Sequence, residues 1–431
     1  MPGHSEVPAT RKLQRDLQKT LLQAADVQLI EVVSLVDSMP DRGDADALLA
    51  PLRWRLQSLR PRRPLSLKRL MFLPADPIIM PARLWHRGMP AIPRTALACI
   101  GAQVLAGLGA TAATLDAEIQ GAMVDDHAAV HKIGSRLWPM AADILAQGGP
   151  PPDWSDNSGL TALDHAALAQ PLSIVLRQAA AIESMVHPRM TIEAASVGAI
   201  RTCVSLAIAT IPPHASAFGV QGIAMLLAIL IARLPGSEQI VTAASDLALS
   251  LCSPLPRLAA DLAIDFALDS LEGSLAAETT LCHAAHDLGR LARLLDTIEQ
   301  PGPASRPTRK ARAAQLRCDV DRACRSRFEH DAEQHLLANA PQLGLGASDA
   351  DVISLEATAL DLRRFEFAAR AFGSGPHYDR MLRETANRLA ETAPRDANPI
   401  DVARLVEILQ GPEAALAWLQ TPPASPSPAS A

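Results

Sequence analysis

Between residues 355 and 372 the inward-type residues fall at Leu355, Ala359, Leu362, Phe365, Ala369 and Phe372. Steps of three and four are the period of one face of an α-helix. Gly373, Gly375 and Pro376 then interrupt the pattern, as residues that stop one helix and open another do. The period resumes at Tyr378, Met381, Leu382, Thr385 and Leu389. The stretch "NPIDVARLVEIL" next places Asn398 to cap a helix and Pro399 at its first position. Gly411 ends that helix, and Pro412 opens a shorter one through Trp418. Residues 160–299 have the same texture.

The pattern predicts an all-α fold made of antiparallel helix pairs in an irregular stack. A solenoid-like stack and an irregular globular bundle both fit, and no fixed repeat signature distinguishes them. Two stretches rich in turn-formers, "GGPPPDWSDNSG" (148–159) and "QPGPASRP" (300–307), read as linkers. The expected organisation is an N-terminal helical region over 1–149, a central apolar region over 160–299 and a C-terminal region over 308–420. A disordered tail, "TPPASPSPASA", occupies 421–431.

Composition supports this reading. Hydrophobic residues make up 48% of the 431, which excludes disorder of the whole chain, and aromatics only 3%. Alanine and leucine carry the apolar content, and both favour helix. The six cysteines, at 99, 203, 252, 282, 318 and 324, form no Cys-x-x-Cys pair. They are expected to be small buried apolar residues without disulfides. The first residues, "MPGHSEVPATRKLQRDLQK", lack the apolar core of a secretory signal, so a bacterial-type cytoplasm is the expected location. The eleven-residue apolar run from Gly222 to Ala232 is shorter than the roughly twenty residues a bilayer span needs. Residues 194–211 are similarly apolar apart from Arg201. A pair of core helices is expected there, with a membrane hairpin over 194–232 as an alternative.

Charge changes the picture most. The chain has 35 Arg, 5 Lys and a net charge of −6. Between Ala47 and Leu115, however, ten cations (Arg53, Arg55, Arg60, Arg62, Arg63, Lys68, Arg69, Arg83, Arg87 and Arg94) face one acid, Asp76. That segment carries +9 and the remainder −15. Prolines at 61, 64, 74, 77, 81, 90 and 93 remove backbone donors and restrict the residues before them. A helix over 46–59 and a short one in "LSLKRLMFL" are expected, followed by irregular chain over 74–93. Guanidinium groups suit phosphate and carboxylate. Arg53, Arg55, Arg60, Arg62, Arg63, Lys68 and Arg69 are therefore the candidate anion-binding residues, and Trp54 and Trp85 the candidate stacking residues. The competing reading pairs these cations with acids elsewhere in the chain. A second basic run, 306–327, holds eight cations and two acids. It reads as an amphipathic helix with Leu316, Val320, Cys324 and Phe328 inward and its cations on a solvated face.

Other motifs point to ordinary helices. His127 and His131 lie four apart, but Val130, Ile133 and Leu137 are expected to put that stripe against the core, and no third metal ligand is evident. "CHAAHD" gathers Cys282, His283, His286 and Asp287 within six residues, and His283, His286 and Asp287 are expected, with Arg290, on an exposed polar face. Cys318 and Cys324 point to different sides of one helix. "GLGATA" (107–112) lacks the strand a dinucleotide site requires and reads as a helix break. No nucleophile–base pair is identifiable, and no metal or cofactor is expected. The sequence therefore favours a non-enzymatic binding or scaffolding protein that uses an Arg-rich surface for a protein or anionic partner, nucleic acid included. An enzyme with arginine substrate clamps and the membrane-associated hairpin are the alternatives.

Overall fold

The structure, a computed structural model, describes residues 28–29, 32–33, 36, 64–186, 195–211, 216–234, 236–276, 280–344, 348–394 and 396–420. The expected helix over 46–59, the tail from 421, and Arg53, Trp54, Arg55, Arg60, Arg62 and Arg63 lie outside them. Among the described residues 81% are helical, in seventeen α-helices with shorter helical turns, and two short strands are present. The fold is all-α.

In chain order the elements are α1 (Leu67–Phe72), β1 (Ile79–Met80), β2 (Ile92–Pro93), α2 (Ala96–Leu108), α3 (Ala110–Ile119), α4 (His127–Gln147), α5 (Trp154–Ser158), α6 (Ala162–Arg177) and α7 (Ala179–Val186). There follow α8 (Ala195–Ala209), α9 (Ser216–Arg233), α10 (Ser237–Ser250), α11 (Leu255–Ala276), α12 (Leu281–Glu299) and α13 (Pro307–Asp331). A π-helical turn (Ala332–Leu337) extends α13. The chain ends with α14 (Asp349–Ala369), α15 (Gly375–Thr392), α16 (Pro399–Gln410) and α17 (Pro412–Gln420).

The chain forms two compact units. One comprises Met1–Leu70 and Ala110–Gly134. Its buried residues include Leu29, Leu65, Leu70, Leu115, Ile119 and Val130. The Leu65 amide donates to the Ala122 carbonyl at 2.9 Å, beside an isolated bridge between Pro64 and Met123.

The other unit comprises Met71–Gly109 and Ser135–Ala431. Helix α9 is its centre: every residue from Gln221 to Ile231 is buried, and α9 packs most extensively against α11 and α6. Gly222 permits that packing. A Cβ there would lie 2.6 Å from Ile174 Cδ1 and 3.2 Å from the Pro171 carbonyl oxygen, so α6 could not approach as it does. The apolar run is thus a core helix, and no single helix among the described residues is long and apolar enough to cross a membrane.

Local signals act as read. Asn398 accepts from the Ile400 amide to cap α16, Gly411 ends it at φ +95°, and Gly109 breaks α2 from α3 at φ +53°. The inward residues of α14 and α15 are buried. Within the expected linker over 148–159, Trp154 is buried and its indole N–H donates to the Thr161 carbonyl at 2.9 Å. Two expectations fail. Cys99, Cys203 and Cys324 are buried but Cys252, Cys282 and Cys318 are exposed; all six are free thiols. His127 and His131 are exposed while Val130, Ile133 and Leu137 are buried. One residue's step, about 100° around the helix, turns His131 from Val130's side to solvent.

Candidate functional site

The described part of the basic segment falls in both units. In the first, Lys68 is exposed on α1, and Arg69 is half-buried and donates through Nη1 to the Pro64 carbonyl at 3.2 Å. In the second, residues 79–94 form ordered irregular chain. The register Ile79 with Ile92 and Met80 with Pro93 closes it as a parallel pair, and the Arg94 amide donates to the Met80 carbonyl at 2.9 Å.

Three side chains pin this loop. Gln221 Nε2, from the buried centre of α9, donates to the Met89 carbonyl at 2.9 Å. Arg87 Nε donates to Asp164 at 2.8 Å, and Trp85 Nε1 donates to the Ala91 carbonyl at 3.0 Å. Trp85 is half-buried, so its N–H is already committed within the loop. Asp164 also completes a capping box with Thr161 at the start of α6. Burial by itself would raise the Asp164 carboxyl. The Thr161 hydroxyl and amide, with Arg87, outweigh that and hold it below the ordinary carboxylate range. Held this way, the loop leaves Arg83 and Arg94 exposed, with no carboxylate partner among the described residues.

The second basic run behaves oppositely. Helix α13 buries Leu316, Val320, Cys324 and Phe328 as expected; Lys310 and Arg322 are exposed, but four other cations of the run meet carboxylates of neighbouring helices. Arg309 is itself buried, at 6% exposure. Its guanidinium donates to Asp261 at 2.6 Å and to Asp265 at 2.7 and 2.8 Å, both on α11. Burial opposes its charge, and the two carboxylates outweigh burial, so its pKa is raised. Arg306 also pairs with Asp261. Arg312 reaches Asp269 at 2.5 Å and Glu272 at 2.9 Å, and Arg317 reaches Asp296 at 2.8 Å and Glu299 at 3.0 Å. The acids recur every three or four residues along the facing helices, and that complementary spacing pairs these cations with carboxylates.

A third cluster escaped sequence reading. Around the start of α15, Tyr378 is fully buried, and its hydroxyl has no hydrogen-bond partner. Asp321 Oδ1, Arg325 Nε and His377 Nε2 are likewise buried without one. Ser374, a non-glycine residue at φ +57°, donates its hydroxyl to Asp321 at 2.8 Å, and Arg325 pairs with the same carboxylate at 3.1 Å. Burial foremost, with the nearby Asp321 carboxylate, pushes the Tyr378 hydroxyl pKa upward; burial foremost pushes the Cys324 thiol to about 12. Such a thiol is not a nucleophile at neutral pH. The group binds α13 to α15 through polar contacts. In the sequence Tyr378 reads as one more inward position, so nothing marked its hydroxyl.

The remaining motifs stay apart. Cys282, His283 and His286 are exposed on α12, and among the described residues no group of three or more His, Cys, Asp or Glu could hold a metal ion. Buried His165 meets Gln103 Oε1 at 2.8 Å and the edge of Trp154, and burial lowers its pKa. No family model, curated protein or solved structure matches the chain.

Proposed function

We propose that this chain is a non-enzymatic binding or scaffolding protein, in which stacked helix pairs present a Pro- and Arg-rich segment to an anionic partner. The observation that carries this reading is the contrast in cation pairing. Arg306, Arg309, Arg312 and Arg317 meet carboxylates of neighbouring helices, whereas Lys68, Arg83 and Arg94 are exposed without one among the described residues. A chain of net charge −6 has acid to spare for them. Unpaired guanidinium groups on an ordered loop retain their capacity for bidentate phosphate or carboxylate contacts. Ordered loops on helical scaffolds are also where binding residues concentrate.

The test is retention of the full chain on heparin across a salt gradient. The variant Lys68→Ala/Arg83→Ala/Arg94→Ala should elute at lower salt with unchanged helicity and melting temperature, and Arg60→Ala/Arg62→Ala/Arg63→Ala should do the same. Retention that neither variant alters, with the fold intact, would overturn the proposal.

A further inference from the structure

Arg290, on α12, is drawn into the protein without the close pairing that Arg309 and Arg317 receive. Its side chain is 24% exposed, and its contact with Asp287 is long, 3.5 Å from Nη1 to Oδ1. Its Nε is buried and has no hydrogen-bond partner. Arg317, exposed to a similar 21%, meets Asp296 at 2.8 Å and Glu299 at 3.0 Å. A second cation stands beside Arg290. Arg293 is exposed and meets no carboxylate among the described residues. Its Nη1 lies 3.7 Å from the position a Cβ on Gly289 would take, so its guanidinium folds back over the turn that carries Arg290. Like charges at this helical spacing repel. Burial foremost opposes the charge of Arg290, Asp287 favours it and Arg293 opposes it, and the pKa falls. In Arg309, Arg312 and Arg317 burial also opposes the charge, but carboxylates outweigh it and the pKa rises.

We infer that Arg290 and Arg293 form a binding site for a small soluble oxyanion of the phosphate class. A guanidinium held partly out of water needs an opposite charge and hydrogen-bond acceptors. The fold supplies both to Arg309 and leaves Arg290 Nε without an acceptor. Phosphate oxygens accept in the fork geometry that a guanidinium offers. An anion shared by the two cations also replaces their repulsion with attraction to a common charge. His286, exposed one turn earlier on the same helix face, can donate a ring N–H to the same ligand. Asp287 is the opposing group, because its carboxylate repels an anion, and both arginines are therefore needed. Together Arg290, Arg293 and Asp287 carry one positive charge, which suits a single phosphate group and not a polyanion. The inference is independent of the Pro- and Arg-rich segment.

Calorimetric titration and thermal unfolding of the full chain test this at constant ionic strength. The probes are inorganic phosphate, phenyl phosphate and phosphatidylglycerol vesicles. Phosphate should bind saturably and raise the melting temperature above that in chloride. Tighter binding of phenyl phosphate would identify the ligand as a phosphate ester, and weaker binding as the free ion. Arg293→Gln should weaken binding about tenfold, as loss of a charge-assisted hydrogen bond does, and Arg290→Gln should abolish it. Arg293 is exposed, so its variant still decides the matter if Arg290→Gln misfolds. Arg83→Ala/Arg94→Ala should bind phosphate as the wild type does; loss of binding there would move the phosphate to the proline-rich loop and overturn the proposal. No saturable phosphate binding, a response to vesicles alone, or affinity unchanged in Arg293→Gln with the fold intact would overturn it equally.

Discussion

The two basic regions look alike as sequence and behave differently as structure. Residues 306–327 and the described part of 47–115 are both dense in arginine. In the first, Arg309 is buried, and Arg309, Arg312 and Arg317 pair with Asp261, Asp265, Asp269 and Glu272 of α11 and with Asp296 and Glu299 of α12. In the second, only Arg87 finds a carboxylate among the described residues, and it does so to fasten a loop. A count of cations therefore does not distinguish a strut from a contact surface. The distinction comes from whether acids on an adjacent helix recur in register with the cations. It also depends on proline, which keeps residues 81–93 out of any α-helix that could align with such acids.

The comparison can be broken most directly at Arg309. Replacing it by alanine leaves Asp261 largely buried with one partner fewer, and breaking such a pair costs about 3 kcal/mol. Urea unfolding should show that loss while heparin retention stays unchanged. A loss below about 1 kcal/mol would mean the pair behaves as an exposed one.

A smaller effect is expected at the Tyr378 cluster, where burial has no partner to offset it. Tyr378→Phe should raise stability by about 1 kcal/mol, because it removes a buried hydroxyl that makes no hydrogen bond. Destabilisation would show that the hydroxyl has a favourable role.

Arg87 sharpens the contrast through pH. Asp164 has a lowered pKa in the folded chain. Its contribution is therefore complete above the ordinary aspartate value of about 3.9 and fades as pH falls through the lower folded value. Asp164→Asn should flatten that acid limb of the stability–pH curve. Arg87→Ala should shallow it, and should cost less than Arg309→Ala because the Arg87 side chain is 51% exposed. An unchanged acid limb in Asp164→Asn would remove Asp164 as its source. The smallest effect on stability is expected from Arg83→Ala/Arg94→Ala, which should leave the melting temperature unmoved, since neither side chain meets a carboxylate among the described residues.

The sequence by itself determined the helices of the C-terminal half and their caps. Leu355 through Phe372, Asn398 and Gly411 act through local geometry, where a period of 3.6, a capping oxygen or a positive φ is decided within a few residues. It also determined that the run around Gly222 is too short to span a bilayer, because length alone settles that. Tertiary structure decided which charges are enclosed, because Arg309 and Asp261 are 48 residues apart and meet only through the packing of separate helices. It decided that half of the cysteines face solvent and that His131 does too, since a step of one residue changes a helix face. It also separated the inward ridge of α14 from the outward apolar positions Ile353, Leu360 and Phe367, which are exposed. Both obey the helical period, and only the arrangement of neighbouring helices determines which apolar face is covered.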